Sequence, residues 1–212
     1  MQHNSNIVWI QYQVYNEDTA LRNGGQEYMK KITVKDITLI GIMAAAVYVA
    51  SAFLQIPIPT AIGSTRLHMG NVMCLLSGML LGAIPGGLAA GIGSMFFDLT
   101  NPAYITSAPF TFAFKFLMAW LCGKIISKCK VGLKIRFIGG AVAGAFLYVL
   151  LYISKSFIEN RFVLGLPLEA VMLTVAQKSV VSSVNAVIAV IVAVPLGLAL
   201  RPAVAKFLPK KV

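Results

Sequence analysis

The chain has 212 residues, of which 58% are apolar and only 12% are charged, and its mean hydropathy is +0.81. Soluble domains carry about 25% charged residues, so the composition excludes an ordinary soluble protein and predicts an integral membrane protein. The net charge of +11 does not predict a nucleic-acid partner, because the lysines and arginines lie at the ends of apolar segments, as is typical of membrane proteins.

The first 28 residues are polar and differ from the rest of the chain. They contain no cationic segment followed by an apolar one, so they do not form a signal peptide. Residues 24–27 can be encoded by a purine-rich stretch that resembles a bacterial ribosome-binding site just ahead of the Met29 codon. We therefore expect Met29 to be the biological start and residues 1–28 to be a non-native or disordered extension. Residues 29–212 are expected to form the membrane domain.

Six apolar segments follow, and about 20 apolar residues are needed to cross a bilayer as a helix. The first covers residues 37–56 and ends at Pro57 and Pro59, which cannot continue a helix. A polar stretch, IGSTRLHMGN (62–71), comes next and overlaps the start of the second segment at residues 67–84.

A tight turn is predicted at residues 85–87, which read Pro-Gly-Gly. The third segment follows this turn and ends near residue 99. The remaining segments cover residues 110–126, 137–157 and 170–200.

Six spans place both termini on the same side of the membrane, and the cationic residues indicate which side. From residue 30 onward, twelve lysines and arginines lie near the chain ends or between the fourth and fifth spans, whereas five lie toward the other side. Because cytoplasmic segments carry the excess of these residues, the sequence predicts an all-α protein with six transmembrane helices and cytoplasmic termini.

Polar side chains gather at the predicted outer ends of the helices, and no comparable set occurs in the inner halves. Ionisable groups within a membrane are costly and indicate function by default. We therefore predict an outward-facing pocket for a ligand. Its candidate residues are Arg66, His68, Asn71, Asp98, Asn101, Tyr104, Lys115, Lys155, Gln177, Lys178 and Asn185.

Several of these candidates also have a purely structural interpretation. Asp98 can pair with Lys115 or Arg66 to hold helix ends together, and Lys155 can extend to the membrane surface. Arg66 can act as an interface anchor, and Asn185 can bridge two helices by a hydrogen bond.

No motif for nucleotide, metal or acid–base chemistry is present. The chain has no GxxxxGK[ST] loop, the membrane domain has one histidine and no paired carboxylates, and the three cysteines show no CxxC spacing. We expect no enzyme activity, cofactor or metal site. Small residues repeat at four-residue spacing, as at Ala46 and Ala50 and at Gly78 and Gly82, which lets helix backbones approach closely.

Two stretches carry a resemblance to a known family: GSTRLHMGNVMCLLSGMLLGAIPGGLAAGIGSMFFDLTNPAY (63–104) and APFTFAFKFLMAWLCGKI (108–125). From about Lys30 onward the chain resembles the substrate-binding S components of energy-coupling factor (ECF) transporters, in the riboflavin-type branch, which covers several substrates. The resemblance implies a bacterial plasma-membrane protein of six helices that binds a vitamin near its outer face. It also implies that Ala46 and Ala50 dock on a transmembrane coupling subunit, which binds two ATPases.

The sequence leaves the substrate open. The cationic excess favours an acceptor-rich or anionic ligand, because charge-assisted hydrogen bonds are about twice as strong as neutral ones. Only Tyr104, Phe110 and Phe112 are expected as aromatic residues at the pocket mouth, which does not indicate a large stacked ring system. Riboflavin, pyridoxine, hydroxymethylpyrimidine and pantothenate classes all fit. A stand-alone permease or channel is the alternative function, followed by a membrane-embedded enzyme or a structural subunit.

Overall fold

A computed structural model describes residues 34–61 and 64–205. Six α-helices of 12 or more residues occur in this part of the chain: α1 (Val34–Phe53), α2 (Gly70–Leu81), α3 (Ala83–Thr100), α4 (Ala108–Lys128), α5 (Leu133–Ile158) and α6 (Leu168–Ala205). Two strands, β1 (Gln55–Pro59) and β2 (Ser64–His68), lie between α1 and α2. The prediction for residues 1–28 lies outside the described residues, and the domain boundary at residue 29 stays a prediction.

Helices dominate the structure, as the sequence predicts. Of the helices described, α1, α4, α5 and α6 are long and apolar enough to cross a membrane. α2 is apolar but has only 12 residues, which is about 18 Å at 1.5 Å per residue. It packs against all five other helices, and nearly all of its residues are buried. α2 is therefore the centre of the helix bundle.

Glycines allow this close packing. A Cβ atom at Gly78 would lie 2.3 Å from the Ala119 carbonyl oxygen of α4, and one at Gly144 would lie 2.5 Å from the Met118 carbonyl oxygen. Any side chain at these positions would push α4 away from its neighbours. Gly78 and Gly144 thus serve helix packing, as predicted, whereas a Cβ atom at Gly82 would meet nothing within 4 Å.

The turn between α2 and α3 lies earlier in the chain than predicted. Gly82 has a φ angle of 88°, a conformation that favours glycine, and α3 begins at the next residue. Pro85 instead occupies the first turn of α3, where its missing N–H leaves no helical hydrogen bond unmade. The prediction of a turn at residues 85–87 was therefore wrong by a few residues.

The polar stretch between α1 and α2 contributes to a β-hairpin, which the all-α prediction did not include. β1 and β2 pair in antiparallel fashion, with Ile56 opposite Leu67 and Pro57 opposite Arg66. The second helix was predicted to begin at Leu67, but it begins at Gly70 because residues 64–68 pair with β1. That prediction was wrong by three residues.

The prolines of β1 fit the alternation of this hairpin. In an antiparallel pair, residues alternate between those whose backbone groups bond to the partner strand and those whose groups face away. Pro57 and Pro59 have no N–H, so they suit the positions that face away. By the register, Arg66 and His68 then also turn their backbone groups away from β1.

The last two helices are longer than predicted. α5 continues into a π-helical turn over Glu159–Val163, a feature often found at functional sites. α6 has 38 residues and contains Pro195 and Pro202. The C-terminal end of α5, the π-helical turn and the N-terminal half of α6 line a cavity beside the hairpin.

Candidate ligand-binding site

A cavity of about 410 Å³ lies beside the hairpin. Its walls come from β2, the C-terminal part of α3, the N-terminal part of α4, the C-terminal part of α5 and the N-terminal half of α6. This volume lies within the range of about 300–1,000 Å³ that is usual for small-molecule sites. Elements distant in sequence thus enclose a space large enough for a small ligand.

The cavity brings together eight of the eleven residues predicted from the sequence. These are Arg66, His68, Asp98, Tyr104, Lys115, Lys155, Lys178 and Asn185. Their spread over β2, four helices and the loop after α3 shows that the polar groups converge on one space.

The other three predicted residues support the walls and do not line the cavity. Asn71 is buried beneath Lys115 and accepts a hydrogen bond from it. The Asn101 side chain accepts a hydrogen bond from the Ala103 N–H in the loop after α3. Gln177 Oε1 accepts one from the Ala61 N–H, between β1 and β2, at 2.8 Å.

Arg66 is held by a carboxylate and two aromatic rings. Its Nη2 lies 2.8 Å from Asp98 Oδ1, and the Asp98 side chain is only 2% exposed. The guanidinium carbon lies 4.2 Å from the Phe97 ring centre and 4.1 Å from the Tyr104 ring centre. Nη1 is buried and has no hydrogen-bond partner among the described residues. The structural interpretation of Asp98 as a partner of Arg66 is therefore correct, and Nη1 is the end of the guanidinium that no described protein group bonds.

Lys115 lies at the floor of the cavity and is 3% exposed. Its Nζ donates to Asn71 Oδ1 and lies 3.6 Å from the Tyr148 ring centre. Within residues 34–61 and 64–205, no carboxylate forms an ion pair with it. A buried cation without a counter-ion is costly, so an acceptor on a ligand would relieve that cost.

His68 is neutral in this environment. Its Nδ1 accepts a hydrogen bond from the Gly70 N–H at 3.2 Å, which places the ring proton on Nε2. Burial, together with the neighbouring Lys115 and Arg66 charges, holds the pKa of His68 well below its usual range. His68 therefore contributes an N–H donor and no charge at pH 7.

Asn185 of α6 fastens the free edge of β2. Its Nδ2 donates to the Arg66 carbonyl oxygen at 2.7 Å, and its Oδ1 accepts from the His68 N–H at 3.0 Å. These are the backbone groups that face away from β1, so the amide takes the position of a third strand. Thr65 adds a contact to α5, with Oγ1 3.3 Å from the Tyr152 hydroxyl.

We expect Asn185→Leu to loosen the hairpin, because it leaves two backbone groups of β2 without partners. Each hydrogen bond contributes about 1 kcal/mol, so amide hydrogen exchange across residues 64–68 should become at least about tenfold faster. Hydrogen-exchange mass spectrometry of the full chain measures this. Asn160→Leu is the matched control, since Asn160 bonds to Ser156 and not to the hairpin. Equal exchange in the two variants would show that Asn185 does not hold the hairpin.

A second group of charges forms the rim of the cavity, which we define as Ser107, Lys155, Glu159, Asn160 and Lys178. Lys155 pairs with Glu159, and its Nζ also donates to Ser107 Oγ at 2.9 Å. The Lys155 side chain is only 17% exposed, so it turns inward and does not extend to the surface. Lys178 has no ion pair with a carboxylate in the described part of the chain.

Aromatic residues line the cavity more densely than predicted. Six rings contribute: Phe97, Tyr104, Phe110, Phe114, Tyr148 and Tyr152. Phe112 packs instead against α3, where a Cβ atom at Gly91 would lie 2.9 Å from its ring. The expectation of few aromatic residues was therefore wrong. The four-residue spacing of Tyr148 and Tyr152, whose rings stack at 6.0 Å, is the signal that could have found two of them.

Most of the hydroxyl groups that line the cavity were also not predicted from the sequence. Ser and Thr are common in membrane helices, so they do not stand out as charged residues do. Those lining the cavity are Ser51, Ser64, Thr65, Ser94, Thr106, Ser107, Thr111, Ser156 and Ser182.

One known protein is similar to the chain over about half of its length. A curated protein from Pyrococcus woesei, described as "uncharacterized protein in gap 3'region", is 33% identical over 117 residues, which cover 53% of this chain and 72% of that protein. No solved structure matches the chain.

The model of one protein family, described as "ECF-type riboflavin transporter, S component", matches residues 31–202. This range includes the hairpin and every residue of the cavity. The chain therefore belongs to the family of ECF-type riboflavin transporter S components, and it is a multi-pass membrane subunit that binds the vitamin substrate of a transporter and works with the ECF module, not an enzyme.

Proposed function

We propose that the chain captures a small water-soluble vitamin or vitamin precursor that contains a planar ring. The observation that carries this proposal is a cavity lined by six aromatic rings and four cationic side chains. Aromatic faces stack on planar rings, and cations donate strong hydrogen bonds to carbonyl oxygens and ring nitrogens. The cavity thus offers two kinds of contact that a heteroaromatic ligand needs.

Riboflavin is the first candidate, because the family takes its name from it and its flat ring suits the aromatic walls. Pyridoxine and hydroxymethylpyrimidine have smaller rings that would use part of the lining. Pantothenate has no ring and would leave the aromatic residues unused, so the cavity favours it least.

We assign different roles to the predicted site residues. Arg66 and Lys115 contact the ligand through donors that the protein does not satisfy. Asn71 holds Lys115 in place, and Asn185 and Gln177 hold the hairpin over the cavity. The remaining predicted residues shape the cavity or its loops. These are His68, Asp98, Asn101, Tyr104, Lys155 and Lys178.

We further propose a six-span topology with both termini in the cytoplasm and the cavity facing outward, in which the 12-residue helix α2 crosses the membrane together with the strand β2 that precedes it. A cluster of lysines and arginines around the connection between α4 and α5 supports this orientation. It lies at the ends of these two helices that are opposite to the cavity, and cytoplasmic segments are rich in lysine and arginine. The cluster consists of Lys124, Lys128, Lys130, Lys134 and Arg136.

Docking on the transmembrane coupling subunit, which itself binds two ATPases, is proposed for α1. Ala50 is only 3% exposed, whereas Ala46 is half-buried. α1 packs on α3 close to Gly93, where a Cβ atom would lie 2.3 Å from the Ala44 carbonyl oxygen. Ala46 is therefore the residue of the pair that is placed to meet a partner, and Ala50 serves packing within the chain.

We expect Ala46→Leu to reduce vitamin uptake at least about tenfold, because the larger side chain separates α1 from the coupling subunit. The affinity of the purified chain for vitamin should change less than twofold, since Ala46 does not line the cavity. Uptake into cells that contain the coupling module and equilibrium binding measure the two effects. Ala143→Leu on half-buried α5 surface is the matched control. A loss of binding in Ala46→Leu would argue against the docking role.

The proposed function is tested by purifying the full chain and identifying co-bound small molecules by native mass spectrometry. We expect one ring-containing vitamin or precursor per chain, with an affinity confirmed by fluorescence or calorimetric titration. Failure to bind any of the four candidate classes would overturn the proposal. Uptake by this chain in cells that lack a coupling module would instead support a stand-alone permease or channel.

A further inference from the structure

We infer that the rim of the cavity is an oxyanion subsite, in which Lys155 and Lys178 bind a phosphate or carboxylate group of the ligand. The inference rests on the proposed function, because it concerns a second part of the same ligand. It adds a chemical class to the ligands that the cavity can bind besides a neutral vitamin: ring compounds that also carry an anionic group.

The charges of the cavity do not balance. Four cations and two carboxylates line it: Arg66, Lys115, Lys155, Lys178, Asp98 and Glu159. Each carboxylate already has a partner, Asp98 with Arg66 and Glu159 with Lys155. Two positive charges, on Lys115 and Lys178, therefore have no carboxylate partner in the described chain.

These two charges lie at different levels of the cavity. Lys115 contacts Tyr148 of α5, and Lys155 is seven residues further along the same helix, about 10 Å away at 1.5 Å per residue. Lys178 interacts electrostatically with Lys155 and Glu159, so it belongs to the same level as they do. A single ligand group cannot reach both levels. We therefore assign the ring to the floor and a second, anionic group to the rim.

The rim has the donors that an oxyanion requires. Lys155 and Lys178 come from α5 and α6 and approach from different walls. The Ser107 hydroxyl lies 2.9 Å from Lys155 Nζ, and Asn160, whose Nδ2 also donates to Ser156 Oγ at 3.3 Å, lines the same cavity. An anionic group with two or three oxygens can accept from several such donors at once, which makes these hydrogen bonds strong.

Glu159 competes with the ligand for Lys155. Its side chain is 41% exposed, compared with 17% for Lys155, so the carboxylate can turn to water when an oxyanion approaches. A neutral ligand leaves the pair intact and gains nothing from Lys178. Glu159 thus sets how strongly the rim prefers an anionic ligand over a neutral one.

The test compares ligands that differ only in the anionic group: riboflavin with riboflavin 5′-phosphate, and panthenol with pantothenate. Titration of the full chain in nanodiscs gives the ratio of affinities for each pair. We expect the anionic member of at least one pair to bind about tenfold tighter, and the pair that shows it identifies the anion. Lys178→Gln should bring that ratio close to one, and Glu159→Gln should raise it.

Arg161→Gln is the matched control, because it removes a nearby positive charge that does not line the cavity. Equal affinities within both pairs, or the same ratio in Lys178→Gln and Arg161→Gln, would overturn the inference. If none of the four compounds binds, inorganic phosphate serves as the probe at constant ionic strength. If phosphate raises the melting temperature of Arg161→Gln but not that of Lys178→Gln, the subsite is supported although the ring assignment has failed. An equal rise in the two variants would overturn the inference.

Discussion

Lys115→Met lowers the affinity for the vitamin by about 10- to 100-fold, because a hydrogen bond from a charged group contributes about 1.5–3 kcal/mol. Methionine keeps the length of the apolar stem but removes the donor at the cavity floor. The melting temperature should change little, since the loss of the hydrogen bond to Asn71 is offset by removal of a buried charge that has no ion-pair partner. Equilibrium titration and thermal unfolding of the purified chain separate the two effects.

Lys124→Met is the control for this experiment. Lys124 lies on the same helix, away from the cavity, with its Nζ 4.2 Å from the Trp120 ring centre. Its substitution removes the same charge and should leave the affinity unchanged. Unchanged affinity in Lys115→Met itself would show that the cavity floor does not contact the ligand.

Asp98→Ala destabilises the protein by about 3–5 kcal/mol, because it leaves the mostly buried Arg66 guanidinium without its counter-ion. It also weakens ligand binding, since Arg66 is then no longer fixed between Phe97 and Tyr104. Thermal unfolding in detergent, monitored by intrinsic fluorescence, measures the first effect, and titration measures the second.

A double variant tells whether the loss comes from the broken pair. Arg66→Met combined with Asp98→Asn removes both charges, so it should recover much of the stability but not the affinity. Glu159→Ala breaks the more exposed pair with Lys155 and should cost no more than about 1 kcal/mol. If the double variant is as unstable as Asp98→Ala, the ion pair is not the cause of the destabilisation.

The charged residues that line the cavity could be predicted from the sequence. Arg66, Asp98, Lys115 and Lys178 stand out because ionisable residues are rare in apolar segments. The aromatic lining could not be predicted in the same way, because apolar residues occur on every face of these helices. Which of them face the cavity depends on the rotation of each helix about its axis, and packing with neighbouring helices determines that rotation.

The hairpin shows a different limit of prediction. Pro57 and Pro59 were interpreted only as the end of a helix, although proline is equally compatible with an edge strand. Nothing within residues 55–68 decides between these possibilities. Contacts that favour the strand come from distant parts of the chain, among them the hydrogen bond of His68 to Asn185 across 117 residues of sequence.

Pro57 and Pro59 also affect how the hairpin can associate with other chains. An unprotected strand edge is a template for pairing with a further strand and thus for aggregation. Two of the five positions of β1 have no amide hydrogen to offer, which blocks such pairing during synthesis and in a crowded membrane surface. The opposite edge is bound by one side-chain amide, which can release and rebind far more readily than a complete strand. The β1 edge of the hairpin is thereby protected from pairing with other chains, and the β2 edge is held by the two hydrogen bonds of Asn185.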